Sequence, residues 1–326
     1  MTLSVSSQPP HARLEHLPLP LFAAPMGVGG LGLAWREAAR GLGAPAAIGE
    51  MLLLLAGLLW LLIAALHVVR FLAHPAALAD DLKHPVRSAF AGAITIGLLI
   101  LAGGLIPHAP AVAALLWLAA AAAHVTIAAW TVRSLLQAPR EMAALTPPLL
   151  IPLVGNVLAP IFGAKLGFET LSWMMFGLGA LLWVILQPLL LGRLITGPAL
   201  PPRLRPSLVI LLAPPSVAAL SLASLTGGYG PAPLVALGLA LFLALVLATM
   251  IAEFTRAPFA MSWWGWTFPT AAFVTLVQAA AQAKGASSLL APLLWLLLAG
   301  ATSILVLVAA ATLRAAWTGH LLQPEG

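Results

Sequence analysis

Charge is what this sequence has least of. Only 7% of its 326 residues are Asp, Glu, Lys or Arg, where a water-soluble domain carries about 25%. Nine acidic and fifteen basic side chains cannot wet the surface of a globule this size, and the mean hydropathy of +1.05 shows what covers the remainder. That surface faces lipid, which excludes a soluble enzyme, a nucleic-acid binder and a disordered chain. Cysteine is absent, so disulfides, thiolate metal sites and thiol nucleophiles are excluded together, and with them a secreted disulfide scaffold. Catalytic signatures are missing too: there is no HExxH, no GxSxG and no intramembrane pair of carboxylates. Residues 1–17 contain no apolar run, so no cleavable signal peptide is expected.

What the sequence does contain is apolar runs of membrane-spanning length. A helix crossing the hydrocarbon needs about 20 such residues, and runs punctuated by Pro, Gly and charge predict ten spans. Their limits are 18–38, 46–71, 86–106, 110–136, 149–167, 169–195, 206–227, 231–254, 262–283 and 288–316. One all-α polytopic domain over 18–317 follows, between a segment 1–17 and a tail 318–326. The net charge of +6 and pI of 11.1 then suit loops anchored at an anionic membrane face rather than nucleic acid. Arg13, Arg70, Lys83, Arg87, Arg133, Arg140, Arg193, Arg203, Arg205, Arg256 and Arg314 fall on the side of the N-terminus. Only Arg36, Arg40, Lys165 and Lys284 fall on the other. This bias places both termini in the cytoplasm.

The spans alternate in kind. Even-numbered segments are uniformly apolar, as in MLLLLAGLLWLLIAAL from Met51. Odd-numbered segments are interrupted. The first carries Pro25 with Gly27, Gly29, Gly30 and Gly32, and the third Gly92, Gly97, Gly103 and Gly104. The fifth carries Pro152, Gly155, Asn156 and Pro160, the seventh Pro214, Pro215 and three serines, the ninth Pro269 among threonines. A mid-span proline frees backbone groups that lipid cannot satisfy. Odd segments therefore predict an inner ring, with five hairpins in quasi-fivefold array; the alternative is ten ordinary helices in which Gly and Pro only aid packing.

Intramembrane ionisable groups mark proton and ion pathways, and here every charged residue lies near a helix end or in a loop. Of the deeper polar residues, only Asn156 and Gln278 sit on odd segments. Passive conduction fits such an interior better than proton-coupled transport. Gly27–Gly32 matches G-x-G-x-x-G, but no strand precedes it, so helix packing is the better account. His67, His74 and His84 with Asp80 and Asp81 imitate a metal site but read as interfacial residues of a polar loop. No metal or cofactor is expected. The eleven tryptophans suit interfacial belts.

Five strings, PLPLFAAPMGVGGLGLAW (18–35), HPVRSAF (84–90), TPPLLIPLVGNVLAP (146–160), PPRLRPSLVILLAPPSVA (201–218) and PFAMSWWGWTFPTAAF (258–273), together resemble the tellurite-resistance and C4-dicarboxylate transporter family. That family includes the plant slow-type anion channels. The resemblance implies ten helices in five hairpins around a pore, homotrimers with one pore per protomer, and small anions as substrates. Chloride, nitrate and organic acids such as malate belong to that class. Aligned on SWWGWTFP, the family's pore-plugging phenylalanine falls on Phe268, with Phe259 as the second candidate. Pro25, Gly27, Gly92, Pro152, Asn156, Pro160, Pro214, Pro215 and Pro269 are then candidates for kinks and pore lining. Arg87 and Arg205 become candidates for the cytoplasmic mouth, or ordinary membrane anchors. The competing function is a coupled carrier exporting dicarboxylate or tellurite. The kinase-responsive tails of the plant channels have no counterpart, and a bacterial inner membrane is the expected location.

Overall fold

The computed structural model describes residues 14–137 and 141–323. Arg13 and Arg140, two of the basic residues used for orientation, lie outside the described residues, as do most of 1–17 and the last three of the tail. Among the described residues the protein is all helical, with no strand. Its α-helices are α1 (Ala23–Leu42), α2 (Ala46–Ala73), α3 (Pro75–Lys83), α4 (Ala91–Leu105), α5 (Pro110–Gln137), α6 (Leu150–Val154), α7 (Pro160–Gly163), α8 (Glu169–Thr196), α9 (Ala213–Thr226), α10 (Pro231–Thr249), α11 (Ile251–Thr255), α12 (Trp264–Ala283) and α13 (Ser287–Trp317).

Seven helical stretches among the described residues are long and apolar enough to cross a membrane. The three other expected spans are helical as well, but each departs from that standard. Pro147–Gly163 is short, α1 carries Arg36, Glu37 and Arg40 in its last turns, and α12 is interrupted by Pro269 and mixed with Thr and Gln. All three are odd-numbered segments. Burial follows the same division. In their most apolar stretches Ser88–Leu105 is 78% buried and Pro202–Thr226 61%, against 17% to 33% for α2, α5, α8, α10 and α13. A helix surrounded by protein is released from the requirement to be apolar all round.

A feature of the odd segments that the sequence pattern did not predict is a shared lead-in. Each opens with a 3-10 stretch that runs directly into α-helix: Leu19–Phe22, Ser88–Phe90, Pro147–Leu149, Pro202–Leu212 and Met261–Trp263. None of the even segments does. Prolines stand at or just before all five (Pro18 and Pro20, Pro85, Pro147, Pro202 and Pro258), where fixed φ suits a tight first turn and the missing N–H costs nothing.

The fifth segment is the most broken, passing from α6 through a 3-10 stretch (Gly155–Leu158) to α7. Neighbours satisfy its backbone. The Trp117 indole donates to the Ala159 carbonyl at 2.9 Å, Ser224 Oγ to Ile161 O at 3.1 Å, and Ser221 Oγ to Val157 O. Trp60 does the same for Ile94 O at 3.0 Å. Trp117 and Trp264 are buried donors inside the bundle, which corrects their assignment to interfacial belts.

The loop after α2 is ordered by α3, a helix the sequence reading left as polar loop. Asp81 is buried there between Arg70, at 2.6 Å, and Arg87, at 2.9 Å, and Arg70 also donates to Glu15 O at 3.0 Å. Removing one partner of a buried ion pair strands the other charge and costs about 3–5 kcal/mol. Asp81→Ala is accordingly expected to lower the thermal midpoint of the detergent-purified protein markedly. Asp80→Ala, which breaks only an exposed contact of 3.7 Å with Lys83, is expected to leave it nearly unchanged.

Candidate functional site

The axis of the bundle holds two cavities. The larger, about 410 Å³, is lined by residues of all five odd segments, including Gly30 and Arg36, Gly103 and Ile106, Leu158 and Lys165, Val217 and Tyr229, and Phe268 and Thr275. The smaller, about 50 Å³, draws on the same five segments through Met26, Ile96, Val154, Pro214 and Pro269 among others. No even-numbered segment contributes a lining residue to either. Three residues border both cavities: Leu158, Val217 and Phe268. Every side chain around the smaller cavity is apolar, and a narrow apolar passage resists wetting.

Phe268 is buried, one residue before the Pro269 that interrupts α12. Because Pro269 has no N–H, the Gly265 carbonyl one turn back loses its helical partner, and Gly265 itself lines the smaller cavity. The ring rests on α1. A Cβ built at Gly30 would stand 2.9 Å from Phe268 Cδ2, so only glycine leaves room for the aromatic edge there. Phe259, the second candidate, packs against Trp263 with ring centroids 6.2 Å apart and borders neither cavity.

Of the other sequence candidates, Pro214 and Pro269 line the smaller cavity. Pro25, Gly27, Gly92, Pro152, Asn156, Pro160, Pro215, Arg87 and Arg205 border neither. Pro25 lies in the first turn of α1 and Pro215 in that of α9, while Pro160 opens α7. Gly27 and Gly92 are contact points between inner segments. A Cβ on Gly27 would overlap Thr267, and one on Gly92 would lie 2.8 Å from Pro152 Cα. Asn156 is fully buried with its Cβ near Gly179 of α8. Gln278 is buried, and neither end of its amide finds a hydrogen-bond partner among the described residues. Arg87 is engaged by Asp81.

The sequence reading missed the charged rim of the larger cavity. Arg36, Glu37, Arg40 and Lys165 line it; the sequence pattern counts the three basic ones only as part of the minority opposite the N-terminus and does not single out Glu37. Arg36 grips Glu50 through two contacts, at 2.8 and 2.7 Å, and donates to Gly104 O at 3.1 Å. Arg40 pairs with Glu37 at 3.1 Å. Tyr229, in the loop after α9, also faces this cavity. Burial, and then the nearby Glu37 carboxylate, raise its phenol above the ordinary value, so its proton stays on at physiological pH. Among the described residues no group of His, Asp and Glu is arranged to hold a metal ion.

Residues 16–313 match the family described as voltage-dependent anion channel. The S-type anion channel SLAH3 of Arabidopsis thaliana is 27% identical over 286 residues, covering 83% of this chain and 44% of the relative. The guard cell S-type anion channel SLAC1 of the same plant is 29% identical over 140 residues, 43% of this chain and 25% of its own. The tellurite resistance protein TehA homolog of Haemophilus influenzae is 26% identical over 214 residues, 65% of each. The chain thus spans less than two thirds of the length of these relatives.

The position of Phe268 between two cavities can be tested chemically, because the natural chain has no cysteine. A Val154→Cys protein carries its one thiol in the smaller cavity. A charged thiol reagent supplied to the larger cavity is expected to label it slowly. Labelling is expected to accelerate when Phe268→Ala is added, and also, to a smaller degree, with Gly30→Ala, which crowds the ring off α1. Mass spectrometry of labelled protein against time measures both.

Proposed function

The chain belongs to the voltage-dependent anion channel family, and from that membership we propose that this multi-pass membrane protein conducts small anions along the axis of its bundle, with Phe268 as the plug. One observation carries the reading: Phe268 borders both cavities, and each cavity draws on all five odd-numbered segments and on no even-numbered one. The inner ring, the outer ring and the quasi-fivefold repeat of the hairpins belong to the same proposal. Their support is the contrast in burial between odd and even segments and the 3-10 lead-in that all five odd segments share.

An ion entering the apolar constriction sheds water and receives no fixed charge in return. A bare anion there needs a field from oriented backbone dipoles, which helix interruptions supply. An aromatic ring across the passage adds a barrier to wetting that vanishes when the ring swings aside. The one carboxylate on the larger cavity, Glu37, is paired with Arg40 at the rim, and the constriction itself carries no ionisable side chain, which favours passive conduction. Lys165 on the far rim, and Arg87 and Arg205 on the other face, raise the local anion concentration at the two ends, while Arg36 and Arg40 are held by Glu50 and Glu37. Chloride, nitrate and small carboxylates such as malate are the proposed substrates. The basic residues orient both termini to the cytoplasm, the proposed membrane is the bacterial inner one, and the proposed assembly is a trimer with one pathway in each protomer.

Phe268→Ala is expected to raise anion current severalfold in planar bilayers while the reversal potential still follows the anion gradient. An unchanged current would remove the plug assignment. Saturable uptake that requires a proton gradient, with no unitary current steps, would replace the channel by a coupled carrier for dicarboxylate or tellurite.

A further inference from the structure

The larger cavity is the vestibule of the proposed pathway, and its rim is charged in an uneven way. Four charged side chains line it, three basic and one acidic. Each arginine already has a carboxylate of its own: Arg36 holds Glu50 with both oxygens engaged, and Arg40 holds Glu37. Lys165 makes no ion pair and no side-chain hydrogen bond among the described residues, although partial desolvation by the surrounding protein and then the nearby Arg40 lower its pKa, against an opposing pull from the Glu37 carboxylate. It stands in the turn after α7, exposed, on the wall of the cavity whose floor is Phe268.

We propose that the Lys165 ammonium is the capture site for anions entering this vestibule, the step before they meet the plug. The inference rests on the pore reading above and adds to it the group that recruits the ion and the chemistry by which it selects. An arginine fork favours planar oxyanions through paired N–H bonds, whereas an ammonium is a compact, hydrated point charge. Glu50 fills the Arg36 fork and Glu37 meets Arg40 through a single N–H, so the rim cation left without a carboxylate contact is a compact ammonium, which attracts by sign of charge rather than by oxyanion shape. Chloride, nitrate and a small carboxylate are all attracted by the same group.

Size and salt dependence follow from Coulomb's law. One unit charge about 6 Å from the ion's path, in water with a Debye length of about 10 Å at 0.1 M salt, enriches a monovalent anion about twofold. At 1 M salt the Debye length falls to about 3 Å and the enrichment nearly disappears. Lys284 provides a matched control. It is exposed and was assigned to the same side of the membrane, but it lines neither axial cavity.

The test uses the Phe268→Ala protein in planar bilayers, with chloride as the probe ion at 0.1 M and 1 M KCl. Lys165→Ala is expected to reduce unitary conductance about twofold at 0.1 M, most for anions entering from the vestibule, and to change little at 1 M. Lys165→Glu should reduce it further, Lys165→Arg should restore it, and Lys284→Ala should match the parent. Repeating the 0.1 M comparison with nitrate should give the same ratio. Equal effects of Lys165→Ala and Lys284→Ala, or a loss that persists at 1 M, would overturn the capture site while leaving the pore in place. Absence of any anion current in the Phe268→Ala parent would overturn the pore reading and the capture site with it. Elution volume and thermal midpoint of each variant, expected to equal the parent's, separate loss of charge from loss of fold.

Discussion

A backbone carbonyl inside a bilayer has to find its hydrogen-bond donor within the protein, and this requirement organises the whole molecule. An unbroken helix satisfies itself, so α2, α5, α8, α10 and α13 can present long apolar faces outward. The fifth segment cannot satisfy itself, because it changes helix type twice between Leu150 and Gly163. It survives because Trp117, Ser221 and Ser224 reach its carbonyls from neighbouring segments. Broken helices inside and intact ones outside are therefore two sides of one constraint.

Among the described residues the ion pairs lie at the ends of the bundle. At one end, Asp81 is clamped between Arg70 and Arg87, and Arg70 reaches the backbone of Glu15. At the other, Arg36, Glu50 and His108 tie the end of α1 to the start of α2 and to the turn before α5, with His108 Nε2 2.9 Å from Glu50. Between them the smaller cavity has an entirely apolar wall. Such an arrangement holds the ends rigid and leaves the middle free of fixed charge. A neutral aromatic side chain, Phe268, stands beside this uncharged middle, bordering both cavities.

The all-helical, multi-span character was legible in the sequence because it rests on local chemistry. Long apolar runs mark helices that face lipid, and Pro and Gly mark those that do not. Phe268 became a candidate for a different reason, through the motif SWWGWTFP and the family resemblance it carries, and its position bordering both cavities came only with the structure. Pore lining was much less legible. Gly27, Gly92 and Asn156 were candidates because they are small or polar on inner segments, yet Gly27 packs on Thr267, Gly92 on Pro152, and Asn156 lies close to α8. The true walls are formed by ordinary residues such as Met26, Ile96 and Val217, which composition cannot tell from core. Glycine in these helices reports close approach, and close approach occurs between helices as readily as around a cavity.

Composition and periodic interruption by themselves determined that this is a multi-pass helical membrane protein with two kinds of segment, since both follow from what each stretch of chain can bury. The tertiary structure alone decided which faces meet. Gly30 and Phe268 lie far apart in sequence, and only the packing of α1 on α12 makes one the seat of the other. The same holds for Lys165, a single charge among the minority on its side of the membrane. Its significance comes from the carboxylates that occupy Arg36 and Arg40 and from the cavity onto which it opens. Rotation of each helix about its axis and pairing of distant charges are set by packing across the bundle, and no local run of residues encodes them.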